Sequence, residues 1–234
     1  MAKTKILGIS GSPRKNGNTI KLVEKALEAA RGVPDVETIM YDMAGKKMHH
    51  CIGCNKCLEK GICVFKDDFI DFIRIYFEAD GIIWGAPVYH VSVPASMKAL
   101  YDRLGQMLLM HYLRKGMSTP RFSKVCGVLT NGAHRNGGQD LTLSFMANSC
   151  LMMNCVVVSG DSLAGNYIGA SGWTGNTPDP FGKDNSLQDQ EGVNSVLTLG
   201  TRVAEMATIV KAGIESMKSS LPPEYFYSWE EPSA

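Results

Sequence analysis

Short apolar runs alternate along this chain with longer stretches in which apolar residues recur every three or four positions. The short runs stop at turn-forming residues and predict buried β-strands, whereas the longer stretches predict amphipathic helices. Strands are predicted at Lys5–Ile9, Val36–Tyr41, Gly81–Trp84, Val125–Thr130 and Cys155–Ser159. Helices are predicted from Asn18 or Thr19 (either able to cap it) through Ala30, from Asp67-Asp68 through Tyr76, and over Pro94–Leu104, Gln139–Met146 and Val193–Met217.

This alternation of strands and helices predicts βαβ units and therefore a parallel sheet covered by helices on both faces. Five such strands fit an α/β fold, a doubly wound five-stranded parallel sheet of the flavodoxin type with the expected order 2-1-3-4-5. Ligands of such sheets bind outside the carboxyl ends of the strands, where the strand order reverses. Functional residues are therefore expected in the loops that follow the strands.

Composition and charge narrow the class of protein. The chain has 234 residues, 44% of them hydrophobic, with 24 Lys and Arg against 23 Asp and Glu. This balance argues against nucleic acid or an anionic membrane as a partner, because both select for a basic excess. There is no run of about 18 apolar residues, and the N-terminus lacks the features of a signal peptide, so we expect a cytoplasmic protein.

We expect one domain over residues 1–218, followed by a tail over 219–234. Two segments depart from the regular alternation. The stretch from Ala164 to Gln190 is rich in Gly, Pro, Asn and Asp and reads as a long loop, either a lid, a partner-binding loop or a partly disordered segment. The tail contains Tyr225, Phe226, Tyr227 and Trp229. So many aromatic side chains are expected to dock on an apolar surface, a second subunit being one candidate.

The loop after the first predicted strand is rich in hydrogen-bond donors. It runs Ser10-Gly11-Ser12-Pro13-Arg14-Lys15-Asn16-Gly17-Asn18-Thr19 and opens the first helix. Unpaired backbone N–H groups at a helix N-terminus attract anions, and the side chains of Ser12, Arg14, Asn18 and Thr19 add donors and charge. The loop lacks the Walker A ending and the GxGxxG spacing. It predicts an anion site, with a simple helix cap as the alternative.

Three segments at successive strand ends resemble the NAD(P)H-dependent FMN reductases, a flavodoxin-like family. They are the loop just described, Gly85-Ala86-Pro87-Val88-Tyr89 with Pro94, Lys98, Asp102 and Arg103 after it, and Thr130-Asn131-Gly132 with Gly137-Gly138-Gln139-Asp140. The resemblance implies that FMN phosphate binds at Ser10, Ser12, Arg14, Asn18 and Thr19. It implies that the flavin ring lies between Pro87-Val88-Tyr89 and Thr130-Asn131-Gly132, with NAD(P)H as a candidate co-substrate. His90 could contact the flavin or face solvent, and Asp140 receives no role because the family more often has Glu there.

Four of the seven cysteines fall within thirteen residues, as Cys51-x2-Cys54-x2-Cys57-x5-Cys63, in an insertion over residues 49–66. A C-x2-C-x2-C run suits three ligands of an iron–sulfur cubane, and Cys63 could close the site. Zinc is an alternative, although its sites usually pair two separated C-x2-C knuckles; free or redox-active thiols are another. The flanking His49 and His50 are expected to be solvated. Cys126, Cys150 and Cys155 lie in apolar surroundings and are expected to be inert core thiols.

The cysteine segment also resembles the iron–sulfur flavoproteins, a branch of the same family. This resemblance implies a [4Fe–4S] cluster that exchanges electrons with FMN, in a homodimer or homotetramer where one subunit's cluster approaches another's flavin. Because the segment follows the second strand, it should emerge at the same sheet edge as the other loops.

Three functions remain open on the sequence. The first is an FMN oxidoreductase with a [4Fe–4S] cluster, served by a small-molecule or redox-protein electron donor or acceptor. The second is a cluster-free NAD(P)H-dependent reductase of flavin, quinone or nitro compounds. The third is a non-catalytic flavin electron carrier. No catalytic acid or base is assigned, because the cofactors supply the chemistry in each case.

Overall fold

A computed structural model describes residues 2–175, 178–179 and 181–229 of the chain. Its strands are β1 (Thr4–Ser10), β2 (Val36–Asp42), β3 (Gly81–Pro87), β4 (Val125–Gly132), β5 (Val156–Val157) and β6 (Ala170–Trp173). Its α-helices are α1 (Asn18–Ala30), α2 (Lys56–Lys60), α3 (Phe69–Glu78), α4 (Ala95–Arg114), α5 (Gln139–Met152) and α6 (Gln190–Ser216). Short 3-10 turns lie at Ser162–Ala164, Asn185–Gln188 and Pro223–Tyr225.

The strands form one parallel sheet in the order β2-β1-β3-β4-β5, which confirms the expected order. The fifth position differs from the prediction. The strand expected over Cys155–Ser159 is reduced to β5, which pairs with the first two residues of β4. The last four residues of β4 pair instead with β6, which lies inside the segment expected to be a loop over Ala164–Gln190. Two short strands therefore share one place, so the sheet formed by the described residues has six strands rather than five.

Helices cover both faces of the sheet, as parallel strands require. On one face α1 and α6 pack over side chains such as Ile6, Ile83 and Leu129. On the other face α3, α4 and α5 enclose a core that contains Phe72 and Trp84. The central strands β3 and β4 are buried along their whole length. Such burial explains why they read as continuous apolar runs.

Two helices are longer than expected. The helix expected to end at Leu104 continues to Arg114, and the one expected to end at Met146 continues to Met152. Gly105 does not end α4, because the residues beyond it bury Leu108 and Tyr112 in the core. Tertiary packing of this kind outweighs the low helix propensity of a single glycine.

The aromatic tail docks on its own chain. Tyr227 stacks on Tyr112 with ring centroids 5.4 Å apart, and Trp229 stacks on Phe77 at 5.6 Å. The expectation of an apolar docking surface is therefore met within one subunit for the described part of the tail. The three core cysteines are buried as expected. The hydrogen bond with Cys150 and burial hold the pKa of the Cys126 thiol well above its usual value, which keeps this thiol protonated.

Gly200 sets the spacing of α6 against α1. A Cβ atom at Gly200 would lie 2.1 Å from the Ala26 carbonyl oxygen, whereas a Cβ at Gly213 of the same helix meets nothing within 4 Å. We expect G200A to lower the free energy of unfolding by about 1–3 kcal/mol, because backbone must move to admit the methyl group. G213A should raise it by roughly 0.5–1 kcal/mol through helix propensity. Urea unfolding followed by circular dichroism measures both, and a G200A protein as stable as G213A would contradict this packing.

Candidate functional site

Three loops meet at the carboxyl edge of the sheet. They follow β1, β3 and β4, which are neighbours in the sheet and end at Ser10, Pro87 and Gly132. Together they enclose an opening of about 260 Å³, the edge cavity. It is lined by Ser12, Arg14, Gly17, Asn18, Thr19, Pro87, Val88, Tyr89, Asn131, Gly132, Ala133, Thr174 and Phe181.

Two of the residues expected at this site lie outside the lining of the edge cavity. Ser10 is fully buried, and its hydroxyl has no hydrogen-bond partner among the described residues. Thr130 is also fully buried, and its hydroxyl donates to the Ala86 carbonyl oxygen at 2.7 Å. That bond joins the ends of β3 and β4, so Thr130 supports the loops from behind.

The first loop leaves the start of α1 without a side-chain cap. Gly17 is the N-cap residue, not Asn18 or Thr19 as expected, and as a glycine it has no side chain that could cap the helix. Within the loop, the Arg14 backbone N–H donates to the Ser12 hydroxyl oxygen at 3.2 Å. Asn18 and Thr19 are buried at the cavity. The side chains of both therefore belong to the site rather than to the helix cap.

A segment from the long loop lies over these donors. The Arg14 guanidinium donates to the Phe181 carbonyl oxygen at 2.8 Å, and the Asn18 amide donates to the Gly182 carbonyl oxygen at 2.6 Å. The Ser186 backbone N–H in turn donates to Asn18 Oδ1 at 3.0 Å. Thr19 donates to the Asn131 side-chain oxygen at 2.6 Å, which joins the first and third loops. In this structure the side-chain donors that suit an anion are therefore hydrogen-bonded to oxygen atoms of the protein itself.

The second loop turns sharply after Tyr89. The backbone groups of Tyr89 and Ser92 pair in both directions, with N···O distances of 2.8 and 3.1 Å. His90 and Val91 occupy the two positions between them with φ of 49° and 59°. A β-branched residue rarely adopts this left-handed conformation, and such strain tends to persist at functional loops. The turn leaves the Tyr89 ring 43% exposed at the mouth of the edge cavity, while His90 faces solvent.

The four clustered cysteines line a second, much smaller opening of about 20 Å³, the cysteine cavity. Asn55 and Gly61 take left-handed conformations at the two ends of α2. The short helix between them buries Cys57, whereas Cys54 is exposed. Burial raises the pKa of the Cys57 thiol, and the neighbouring thiols of Cys63, Cys54 and Cys51 raise it further. The thiols of Cys51, Cys54 and Cys63 therefore lie near that of Cys57.

This arrangement does not bring three ligands around a single ion. No group of three or more Cys, His, Asp or Glu side chains within residues 2–175, 178–179 and 181–229 is placed to hold a metal ion. His49 and His50 are exposed, as expected. The His49 ring stacks on Phe65 with centroids 3.9 Å apart. Among the described Cys, His, Asp and Glu side chains, the four cysteines alone line the cysteine cavity.

Several residues at the two cavities carried no signal in the sequence. Phe181 and Thr174 reach the edge cavity from the segment expected to be a lid, a partner-binding loop or a partly disordered segment. Arg103, Gln106 and Met107 of α4 line the cysteine cavity. Arg103 was noted only as part of the family pattern, and nothing in its spacing indicated burial beside the cysteines.

Comparison with known proteins gives a consistent result. The family model described as NADPH-dependent FMN reductase matches residues 4–168. A protein named iron–sulfur flavoprotein from Methanocaldococcus jannaschii is 38% identical over 207 residues, which cover 88% of this chain and 99% of that protein. Another of that name, from Methanosarcina thermophila, is 32% identical over 83% of this chain and 96% of its own length.

Among solved structures, a flavone reductase superposes with a TM-score of 0.62 at 19% sequence identity. The match covers 89% of this chain and 64% of that longer chain. At this level of identity the likeness concerns the fold alone. In the described part of the chain, no helix has the length and apolar character needed to cross a bilayer.

Proposed function

This chain belongs to the NADPH-dependent FMN reductase family and is a flavin oxidoreductase, and from that premise we propose that FMN binds in the edge cavity and a [4Fe–4S] cluster binds at Cys51, Cys54, Cys57 and Cys63. The observation that carries the flavin assignment is the meeting of three loops around one cavity at the carboxyl edge. Open α/β sheets bind ligands at that edge. The cluster assignment is supported by four thiols around one cavity and by the similarity to two proteins named iron–sulfur flavoprotein.

Each loop would hold a different part of FMN. Ser12, Arg14, Asn18 and Thr19 would bind the phosphate, together with the uncapped N–H groups at the start of α1. Pro87, Val88 and Tyr89 would lie against one side of the ring, and Asn131 with Gly132 against the other. Ser10 and Thr130 would act from behind these loops. Bound FMN supplies an acceptor for hydride or single electrons, which lets two-electron and one-electron partners be joined.

The spacing of the cysteines favours a cluster over zinc, because zinc sites usually pair two separated C-x2-C knuckles. A [4Fe–4S] cluster takes four cysteine ligands, and four cysteines line the cysteine cavity. Cys57 would bind from the buried side and Cys54 from the solvent side.

The remaining features complete the proposal. Electrons would enter from NAD(P)H or from a redox protein and leave to a small molecule or another redox protein. We infer a homodimer or homotetramer from the resemblance to the iron–sulfur flavoproteins. We also infer a cytoplasmic location, because seven free thiols suit a reducing compartment. Residues 1–218 would form one flavodoxin-like domain that carries the cysteine insertion.

A cluster-free NAD(P)H-dependent reductase of flavin, quinone or nitro compounds is the second candidate. It is favoured by the small volume of the cysteine cavity. A non-catalytic flavin electron carrier would use the same two cavities but turn over no substrate.

The test is anaerobic purification followed by measurement of FMN, iron and acid-labile sulfide, with absorption spectra before and after dithionite. We expect FMN together with about four iron atoms per chain, and a broad absorption band that bleaches on reduction. FMN without iron would favour the cluster-free reductase. Absence of flavin after incubation with FMN would overturn the edge-cavity assignment. Stopped-flow mixing with NADPH then separates the reductase, whose flavin is reduced rapidly, from a carrier reduced only by a redox protein.

A further inference from the structure

Arg103 is a charged side chain buried in the wall of the cysteine cavity. It lies on α4, is 1% exposed and lines the cavity together with the four cysteines. An arginine remains charged in any protein environment, and a buried charge is stable only when it is compensated. The partners of this guanidinium therefore indicate what it does.

Its partners join the two ends of the cysteine segment. One guanidinium nitrogen, Nη1, lies 2.6 Å from Asp67 Oδ2 and donates to the His49 carbonyl oxygen at 3.3 Å. Nη2 reaches the Phe65 carbonyl oxygen at 3.5 Å. His49 stands two residues before Cys51, and Phe65 two residues after Cys63. One side chain thus holds together the chain that enters the cysteine segment and the chain that leaves it.

One donor of the guanidinium is not used. The Nε–H group of Arg103 is buried and has no hydrogen-bond partner among the described residues. The Phe69 ring packs on the guanidinium, with its centroid 4.1 Å from Cζ. Leaving a buried donor unsatisfied is costly, and the cost is greater for a charged group. A thiolate in the same cavity is an acceptor of the right charge for this donor.

We propose that Arg103 is a positioning residue for the cysteine-bound cluster, closing the segment through His49, Phe65 and Asp67 and donating its free Nε–H to a sulfur in the cavity. This inference rests on the proposed function. Reduction adds one negative charge to a group held by four thiolates, so a nearby cation and a hydrogen bond to sulfur both stabilise the reduced form. Arg103 would thereby raise the reduction potential of the cluster relative to that of the flavin.

Measurement of the reduction potential of the cluster distinguishes this role from simple structural support. We compare D67N with the double variant R103Q/D67N, which differ only at position 103 and leave no unpaired carboxylate behind. In the D67N background, Arg103→Gln should lower the ratio of reduced to oxidised cluster at a fixed potential at least tenfold, which is about 59 mV for a one-electron couple. D67N alone should raise this ratio above that of the unmodified protein. Redox titration with electron paramagnetic resonance detection measures both, and the flavin serves as an internal control.

The matched control is R114Q, which removes the same type of charge at the exposed end of α4. Arg114 lies eleven residues along the helix, about 16 Å away, and its loss should leave the ratio unchanged. A ratio for R103Q/D67N within twofold of D67N overturns the inference. If the double variant loses iron, R103K is measured instead against the unmodified protein, because it keeps the charge and lacks the Nε–H group; a ratio within twofold again overturns it. An unmodified protein without iron overturns the proposed cluster and this inference together.

Discussion

Replacement of Cys57 by alanine is expected to remove the iron of the proposed cluster and leave FMN in place. Cys57 is the buried member of the four cysteines and lies within α2. Asn55 and Gly61, both in the left-handed conformation, cap the two ends of this helix. Alanine cannot bind iron, and a cubane with three protein ligands in a partly open cavity is exposed to loss. Iron should therefore fall from about four atoms per chain to less than about one. The measurement is iron and acid-labile sulfide per chain, beside FMN content.

The control for this variant is C150A, which removes a buried thiol outside the segment. Cys150 hydrogen-bonds with Cys126 in the core, and its loss should leave iron and FMN unchanged. Full iron retention in C57A would exclude Cys57 as a ligand. Equal loss of iron in C57A and C150A would mean that iron loss reports general destabilisation rather than ligation.

The second large effect is expected at the phosphate end of the edge cavity. Replacement of both Asn18 and Thr19 by alanine should weaken FMN binding roughly 10- to 100-fold, since each removes a donor to a charged group. Both side chains are buried where the three loops meet. Quenching of FMN fluorescence, titrated with protein freed of flavin, gives the dissociation constant. Unchanged affinity would contradict the placement of the phosphate at this loop.

Ser186 provides the control for that measurement. Asn18 also donates to the Gly182 carbonyl oxygen, so its loss alters the segment that lies over the loop. The Ser186 hydroxyl reaches the Asn18 carbonyl oxygen at 3.4 Å. S186A therefore removes a different contact between Asn18 and the same covering segment, without removing a donor for phosphate. We expect its FMN affinity to match that of the unmodified protein. A loss as large as that of the double variant would assign the effect to the covering segment.

The sheet and the position of the edge cavity follow from local signals in the sequence. Short apolar runs that stop at Gly, Pro or Asn define β1, β3 and β4, and parallel pairing then brings their carboxyl ends together. Those ends are distant in the sequence, but β1, β3 and β4 are neighbours in the sheet, so the loops that follow them meet. The same logic placed the cysteine segment after β2, next to β1.

Contacts between distant parts of the chain could not be predicted in the same way. Phe181 meets Arg14 across 167 residues, and Arg103 meets Asp67 across 36. Neither contact can be predicted from the periodicity of the sequence, because each depends on how whole elements pack against one another. The continuation of α4 beyond Gly105 has the same origin, since its last turns are stabilised by burial of Leu108 and Tyr112. Local propensity is silent about such burial.

The fifth place in the sheet is divided between β5 and β6, and this division bears on how the protein unfolds locally. β5 pairs with the start of β4, and β6 pairs with its end, beside the edge cavity. Separation of β6 from β4 would leave the pairing of β5 and the order of the first four strands intact. We therefore expect β6 and the loops beside the edge cavity to unfold locally at a free energy below that of global unfolding. Insertions between Val157 and Ala170 would lengthen the segment that joins β5 to β6 and change the exchange of its amide hydrogens. The register of the other strands would stay the same.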